Sequence, residues 1–438
     1  MENIDFIIAV VTFFTSLLFI IFDWVDKTIV ALFGATLLLL TGVLSFEQAL
    51  MSIDFETIAL LIGLMITVIV AQHSGIFSWL NVKIAEKTKG NPLLVFISFI
   101  LLTFFASTVL NNATVVLLVI PIAIAMANGL SLNTKLLVIV IAIFSNIGGT
   151  LTLIGDPPNT LIGVQAKLSF NDFLVNLSAP VFAMSIIIIL YIIGTNWQYL
   201  KPHTRNLPKT FSTALTIKRI KYKFANFKLD KQFVASTVLA ILLTIIAFII
   251  QPLLGISVGA LGMASGILLS LSVSKKINFL EVVKEIEWDS ILFFTGLFVQ
   301  VGALEVTGFL DLIANQIASF GGSFEALLLI ILWGIGLAST VINNIPFVAL
   351  MIPIIFELQE QMAGTALNTE LLWWSLALGA CLGGNGTIIG SSSGLLAVDV
   401  AKKCGTKISF IEFMKVGMPI TIISLMVSSI YLVIAANI

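Results

Sequence analysis

Apolar runs of about 20 residues, separated by short polar breaks, fill almost the whole chain, and each matches the roughly 30 Å hydrocarbon core of a bilayer. Ten of them predict full crossings, near residues 6–22, 28–46, 56–80, 134–166, 174–195, 232–251, 254–272, 289–313, 371–401 and 412–435. Two more, 92–127 and 323–356, behave differently. Lys89 before the first and Lys135 after it fall on one side of the membrane, so the chain enters and returns: a hairpin. The second has no Lys or Arg on either flank, as expected for a hairpin on the outer face. Periodicity does not decide between a re-entrant loop and two short spans.

The basic residues orient this pattern. With the amino terminus outside, 21 of the 22 Lys and Arg fall in cytoplasmic loops and only Lys167 lies outside, which satisfies the positive-inside rule. Both termini are then expected outside, in a plasma or inner membrane. Composition agrees: 59% of the residues are hydrophobic, 10% are charged and the net charge is -1. The expected class is an all-α polytopic membrane protein with no nucleic-acid partner. The start, Met-Glu-Asn-Ile-Asp, has no basic head and no cleavage pattern follows it, so the first run reads as a retained helix. Cys381, Cys404, His73 and His203 have no metal-ligand spacing, and no Asp, His and Cys cluster suggests an enzyme. His73 and Glu305 read as interfacial, and Asp399 near Lys402 as a helix-end ion pair or a solvated group.

The chain is written twice. "STVLNNATVVLLVIP" at 107–121 recurs as "STVINNIPFVALMIP" at 339–353, and "IDFETIALLIGLMITVIVAQHSG" from Ile53 as "IEWDSILFFTGLFVQVGALEVTG" from Ile286. "GGTLTLIG" at 148 returns as "GGNGTIIG" at 383, and Ser169-Phe170 as Ser409-Phe410. Four ordered matches at nearly one spacing indicate an internal repeat. Five crossings plus one hairpin per copy make the copies inverted, an architecture of secondary transporters whose sites lie at mid-membrane on broken helices. The division is 1–195 for the first repeat, with hairpin 92–127 and broken helix 134–166. A basic linker occupies 196–231, and the second repeat is 232–438, with hairpin 323–356 and broken helix 371–401. Within the linker, "FSTALTIKRIKYKFANFKL" fits either a helix on the lipid surface or a solvated connector.

An unbroken helix from Thr134 to Ala166 would be about 50 Å long. Gly148 and Gly149 disfavour helix, and Pro157 and Pro158 cannot continue one, so the chain is expected to unwind across Asn146 to Asp156 and restart at Pro157. Unwound carbonyls at membrane depth suit a cation, and the restarted helix offers N–H groups and a positive dipole end to an anion. The same holds from Gly383-Gly384 to Ser393. The hairpin tips, Asn111-Asn112-Ala113-Thr114 and Asn343-Asn344, add carboxamides and a hydroxyl. Asp156 and Ser391 also fit as simple helix N-caps, and the paired asparagines as interhelical glue. No deep Arg or Lys is expected at the site.

At these residues the sequence resembles the ion transporter superfamily of ArsB-type arsenite permeases, the melanosomal P protein, NhaD-type sodium/proton antiporters and divalent anion:sodium symporters. "GGTLTLIGDPPN" is most similar to the P protein and its ArsB-like relatives. The resemblance implies a homodimer and an elevator in which the hairpins and broken helices move against a scaffold. It places the substrate and ion site on Asn111, Asn112, Thr114, Asn343 and Asn344 at the tips. In the first break it adds Asn146, Gly148, Gly149, Thr150, Thr152, Asp156 and Asn159, and in the second Gly383, Gly384, Asn385, Thr387, Ser391, Ser392 and Ser393. No cofactor is implied beyond a sodium ion at Asn111, Asn112, Asn146, Asn343 and Asn344. Dicarboxylate carriers have Ser-Asn-Thr where Asn111-Asn112-Ala113 and Asn343-Asn344-Ile345 stand here, and threonine in place of Asp156. The expected function is a secondary active transporter of a small inorganic anion or arsenite-like solute, coupled to sodium or protons. The alternatives are a sodium/proton antiporter using Asp156 and a sodium-coupled di- or tricarboxylate symporter.

Overall fold

A computed structural model describes residues 2–22, 24–88, 91–130, 132–200, 230–320, 322–363 and 367–437. Among these residues every regular element is a helix. The first half holds α1 (Glu2–Ile21), α2 (Lys27–Leu40), α3 (Phe46–Ser52), α4 (Phe55–His73), α5 (Ile76–Lys87), α6 (Pro92–Ser107), α7 (Asn112–Leu130), α8 (Thr134–Thr150), α9 (Pro157–Gln165) and α10 (Phe170–Leu200). The second holds α11 (Lys231–Leu254), α12 (Val258–Ser272), α13 (Phe279–Glu285), α14 (Trp288–Val306), α15 (Phe309–Phe320), α16 (Phe324–Ser339), α17 (Asn344–Gln361), α18 (Leu371–Gly383), α19 (Ser392–Lys403) and α20 (Phe410–Ala436). Short and long helices follow one another in the same order in both. The basic stretch 201–229, with its interleaved apolar residues, lies outside the described residues.

Among the described residues seven helices are long and apolar enough to cross a membrane, and the protein is an integral, multi-pass membrane protein. Two of the ten expected crossings are shorter apolar helices: α2 and α12 have 14 and 15 residues, about 21–23 Å at 1.5 Å per residue against a core of about 30 Å. Their apolar sequence continues past the helix ends. Conversely α7, assigned to a hairpin, has 19 residues and is itself long enough to cross.

Small residues decide which helices touch. A methyl group at Gly63 of α4 would lie 2.2 Å from the Gly262 carbonyl oxygen of α12, and one at Gly296 of α14 would lie 2.6 Å from the Ala31 carbonyl carbon of α2. Backbones approach that closely only where side chains are absent, which is how helices gain packing energy in lipid. The buried Gln300 amide donates to the Ala31 carbonyl at 2.8 Å and fixes the α2–α14 pair further. The hairpins pack instead on the broken helices: α6 and α7 against α8, α16 and α17 against α18, and α19 against α7 and α8.

Polar contacts mark the two ends of this frame. His73 Nε2, at the end of α4, lies 3.0 Å from Glu285 at the end of α13, both near the surface. Lys27 and Glu287, which start α2 and α14, belong to that same end, because Thr28 Oγ1 donates to the Asp289 carbonyl at 3.1 Å. At the opposite end of α4, Asp54 receives the Gln165 amide at 2.8 Å. Asp399 pairs with Lys403 at 2.6 Å, one helical turn on, rather than with Lys402.

Candidate substrate and ion site

The two breaks lie where the sequence places them, but glycine does not cause them. α8 continues through Asn146, Gly148 and Gly149 to Thr150, and the chain leaves the helix only from Leu151 to Asp156. α18 likewise runs through Gly383. These glycines serve close contact: a methyl group would meet the Phe104 carbonyl oxygen at 2.2 Å from Gly148, Asn112 Oδ1 at 2.3 Å from Gly149, and the Gly336 carbonyl oxygen at 2.2 Å from Gly383. The restart at Pro157 and Ser392 is as expected, since proline suits the first helical turn and serine the cap.

Several carbonyls around the first break already have protein donors. The Asn159 amide donates to the Thr150 and Thr152 carbonyls at 2.8 and 3.0 Å, and Thr160 Oγ1 donates to Leu153 at 2.9 Å. Asn159 is therefore a brace that lets polar backbone exist inside the protein. Each break is also tied to its own hairpin tip by the same bond: Thr152 Oγ1 donates to the Thr108 carbonyl, and Thr387 Oγ1 to the Thr340 carbonyl, at 2.5 Å in each copy.

What the fold brings together is a buried carboxamide chain. Asn112 Nδ2 donates to Asn146 Oδ1 at 3.2 Å, Asn146 Nδ2 donates to Asn385 Oδ1 at 2.8 Å, and Ser393 Oγ donates to Asn146 Oδ1 at 2.6 Å. Ser107 Oγ donates to Asn112 Oδ1, and Ser391 and Ser393 lie 3.1 Å apart. Asn111 and Asn343 spend their carbonyls as caps, accepting from Ala113 and Ile345 at 3.0 and 3.2 Å.

This chain walls a cavity of about 40 Å³ lined by Asn111, Asn112, Asn146, Asp156, Pro157, Asn344 and Ser391 to Ser393. Lys27, Glu287, Ser290, Phe293 and Phe294 complete its lining. A second cavity, of about 300 Å³, adjoins it and is lined by α4 from Leu61 to Gln72, by Thr114, Thr160, Asn111 and Pro157, and by Glu285 and Glu287. Thr114 thus faces the outer vestibule. Thr150 Oγ1 is turned onto the Asn146 carbonyl at 2.8 Å, and Gly384 packs beside Gly390.

Asp156 is the anomaly. It stands at the N-cap position of α9, yet its side chain makes no cap hydrogen bond. The residue is only 6% exposed, and its Oδ2 has no hydrogen-bond partner. Asn112 and Cys381 are its polar neighbours, and Cys381 Sγ donates to Asn159 Oδ1 at 3.4 Å. Asn385 Nδ2 is likewise buried without an acceptor. A buried carboxylate oxygen with no donor is costly unless a cation or a proton meets it.

Three residues at the site were not singled out from the sequence. Cys381 reads there as part of an apolar helix. Lys27 reads only as a loop charge; its ammonium lies 5.6 Å from the Phe293 ring centroid and the residue, partly exposed at the start of α2, lines the inner cavity. Glu287 has Lys27 and Asp289 as its charged neighbours. Its position inside the repeated "IEWDSILFF" block was the one signal available.

Residues 17–379 match the family described as citrate transporter, CitMHS. A 46 kDa membrane protein of Mycobacterium leprae is 34% identical over 438 residues, covering 97% of this chain and 98% of that protein. The P protein of Sus scrofa is 28% identical across 95% of this chain and 58% of its own length. Among solved structures, the YdaH transporter of Alcanivorax borkumensis superposes with a TM-score of 0.57 at 14% identity, over 90% of this chain and 88% of that one, a likeness of fold.

Proposed function

Because this chain belongs to the citrate transporter (CitMHS) family and is a membrane transporter, we propose that it moves a small anion together with a coupling cation, sodium or a proton, across a plasma or inner membrane. The observation that carries this reading is the buried, unpartnered Oδ2 of Asp156, a residue that lines a small cavity together with Ser391 to Ser393.

The two half-helices are chemically unequal. α9 starts with Pro157 and Pro158, which have no N–H to offer an anion, and carries a carboxylate instead. That end attracts a cation. α19 starts with Ser392 and Ser393, whose backbone N–H groups precede the first intrahelical bond, and Ser392 adds a hydroxyl. That end, with Lys27 nearby, attracts an anion. A cation at Asp156 lowers the cost of placing negative charge beside it, which is the physical content of coupling. A cavity of about 40 Å³ has room for an ion and a water or two, whereas the vestibule is large enough for a solute in transit.

With the basic loops inside, the vestibule opens to the cytoplasm. Proteoliposomes given a sodium or pH gradient and tested with phosphate, sulfate, arsenite and citrate check the proposal: gradient-dependent uptake of one of them is expected, and it should vanish in Asp156→Asn. Asp156 also favours a second reading, exchange of sodium for protons. In that case sodium alone drives proton movement and none of the four solutes is needed. Solute flux that ignores both gradients would sink the coupled mechanism.

A further inference from the structure

Asp54 and Glu287 occupy the same place in the two copies, the second residue of "IDFETI" and of "IEWDSI", and each sits at the N-cap of its long helix. Their side chains are in opposite situations. Asp54 Oδ1 accepts from the Glu56 and Thr57 amides at 3.0 and 3.1 Å, and Oδ2 accepts the Gln165 amide at 2.8 Å. Every lone pair that matters is used. Glu287 makes no cap bond to its helix; it lines both cavities, where Ser290 Oγ donates to its Oε2 at 3.4 Å.

Glu287 is also the one titratable side chain, among the described residues, that lines both the vestibule and the inner cavity. Glu285 lines only the vestibule, and Lys27 and Asp156 only the inner cavity. A cation travelling from the surface to Asp156 passes it. Asp54 stands at the far end of α4, 19 residues from His73, which is beside Glu285. That is about 28 Å along the helix, nearly the thickness of the hydrocarbon core. One carboxylate therefore lies at each face of the membrane.

We propose that Asp54 and Glu287 are matched access carboxylates for the coupling cation, each lining the route to Asp156 when its own face is open and drawn back onto its helix N-terminus when that face is closed. This rests on the transport reading of the site. The link between site and closed face is α9 itself, a rigid nine-residue helix that begins next to Asp156 and ends at Gln165. Displacement of α9 with its cargo breaks the Gln165–Asp54 bond and frees that carboxylate.

Thiol labelling in sealed membrane vesicles tests this without needing a transported solute. Cys404 is exposed and is replaced by serine, and Met65, which lines both cavities, becomes the reporter as Met65→Cys. Membrane-impermeant methanethiosulfonates, one carrying a trimethylammonium and one a sulfonate, are applied from the Lys27 face. The cationic reagent should react faster, and E287Q should reduce the ratio of the two rates about fivefold, the effect of one charge at close range. The ratio is internal to each sample, so partial loss of folded protein does not affect it. D54N and Q165A should leave the ratio intact but slow both reagents together, because loosening the closed face shifts the protein away from this state. An unchanged ratio in E287Q, or labelling rates in D54N and Q165A equal to the parent, would overturn the proposal. Failure of the transport reading shows separately, as absence of coupled flux in the parent protein.

Discussion

The side-chain amide of Asn146 donates to Asn385 Oδ1 at 2.8 Å across 239 residues of sequence, and at that bond the two interrupted helices meet. Asn146 also accepts from Asn112 and Ser393, so one side chain joins a hairpin tip and both breaks.

Asn146→Ala should therefore disturb the whole site. It strands the Asn112 amide and the Asn385 carbonyl in a buried setting, at about 1–3 kcal/mol for each group left unpaired, and leaves the Ser393 hydroxyl with Ser391 alone. A clear fall in melting temperature in detergent and loss of uptake are expected. Asn385→Ala removes fewer bonds, because its own Nδ2 has no partner, and should destabilise less.

Asp156→Asn should separate stability from function. The carboxylate has an unmet oxygen, so replacing it with a neutral isostere removes a desolvation cost rather than a bond. The variant is expected to melt at the parent temperature or above it, and to lose ion-coupled transport. A large drop in melting temperature would mean the carboxylate is a structural anchor.

Gly149→Ala should destabilise by about 1–3 kcal/mol, because its methyl would lie 2.3 Å from Asn112 Oδ1 in a packed site. Gly194→Ala is the control: it lies in α10 with nothing within 4 Å, and alanine there should stabilise the helix by up to about 1 kcal/mol. Thermal melts of the two variants should move in opposite directions.

Lys27→Met removes the cation nearest the anion-facing wall. The half-saturation concentration for the transported anion should rise about tenfold, the worth of one charge-assisted contact of roughly 1.4 kcal/mol, with the maximal rate changed far less. The difference should shrink as salt is raised, because the residue is partly exposed. An unchanged half-saturation would place Lys27 outside the recognition step.

Much of the molecule is legible in the order of its residues. Apolar run length indicated the membrane class, and the twofold wording of the chain led to an expectation of five crossings and one hairpin per copy; among the described residues each half holds ten helices, short and long in the same order. The Pro157-Pro158 pair located the restart of α9, because a ring without an N–H closes off the alternatives. Glycine was harder to interpret. Gly148, Gly149 and Gly383 read as helix breakers, yet they lie inside helices because another backbone or side chain needs the space. A sequence shows that a methyl is absent, not whether freedom or proximity required its absence.

The amino-acid order by itself determined a polytopic helical chain with two polar interruptions per copy, since burial in lipid leaves few alternatives for a backbone that must satisfy its own hydrogen bonds. Tertiary structure alone decided which polar groups converge. It spent Asn159 on the carbonyls of the break, left Asp156 Oδ2 without a donor, and swung Lys27 and Glu287 in from helices far away along the chain. Those outcomes depend on how helices approach one another, and close packing between distant segments leaves no periodic trace in any one of them.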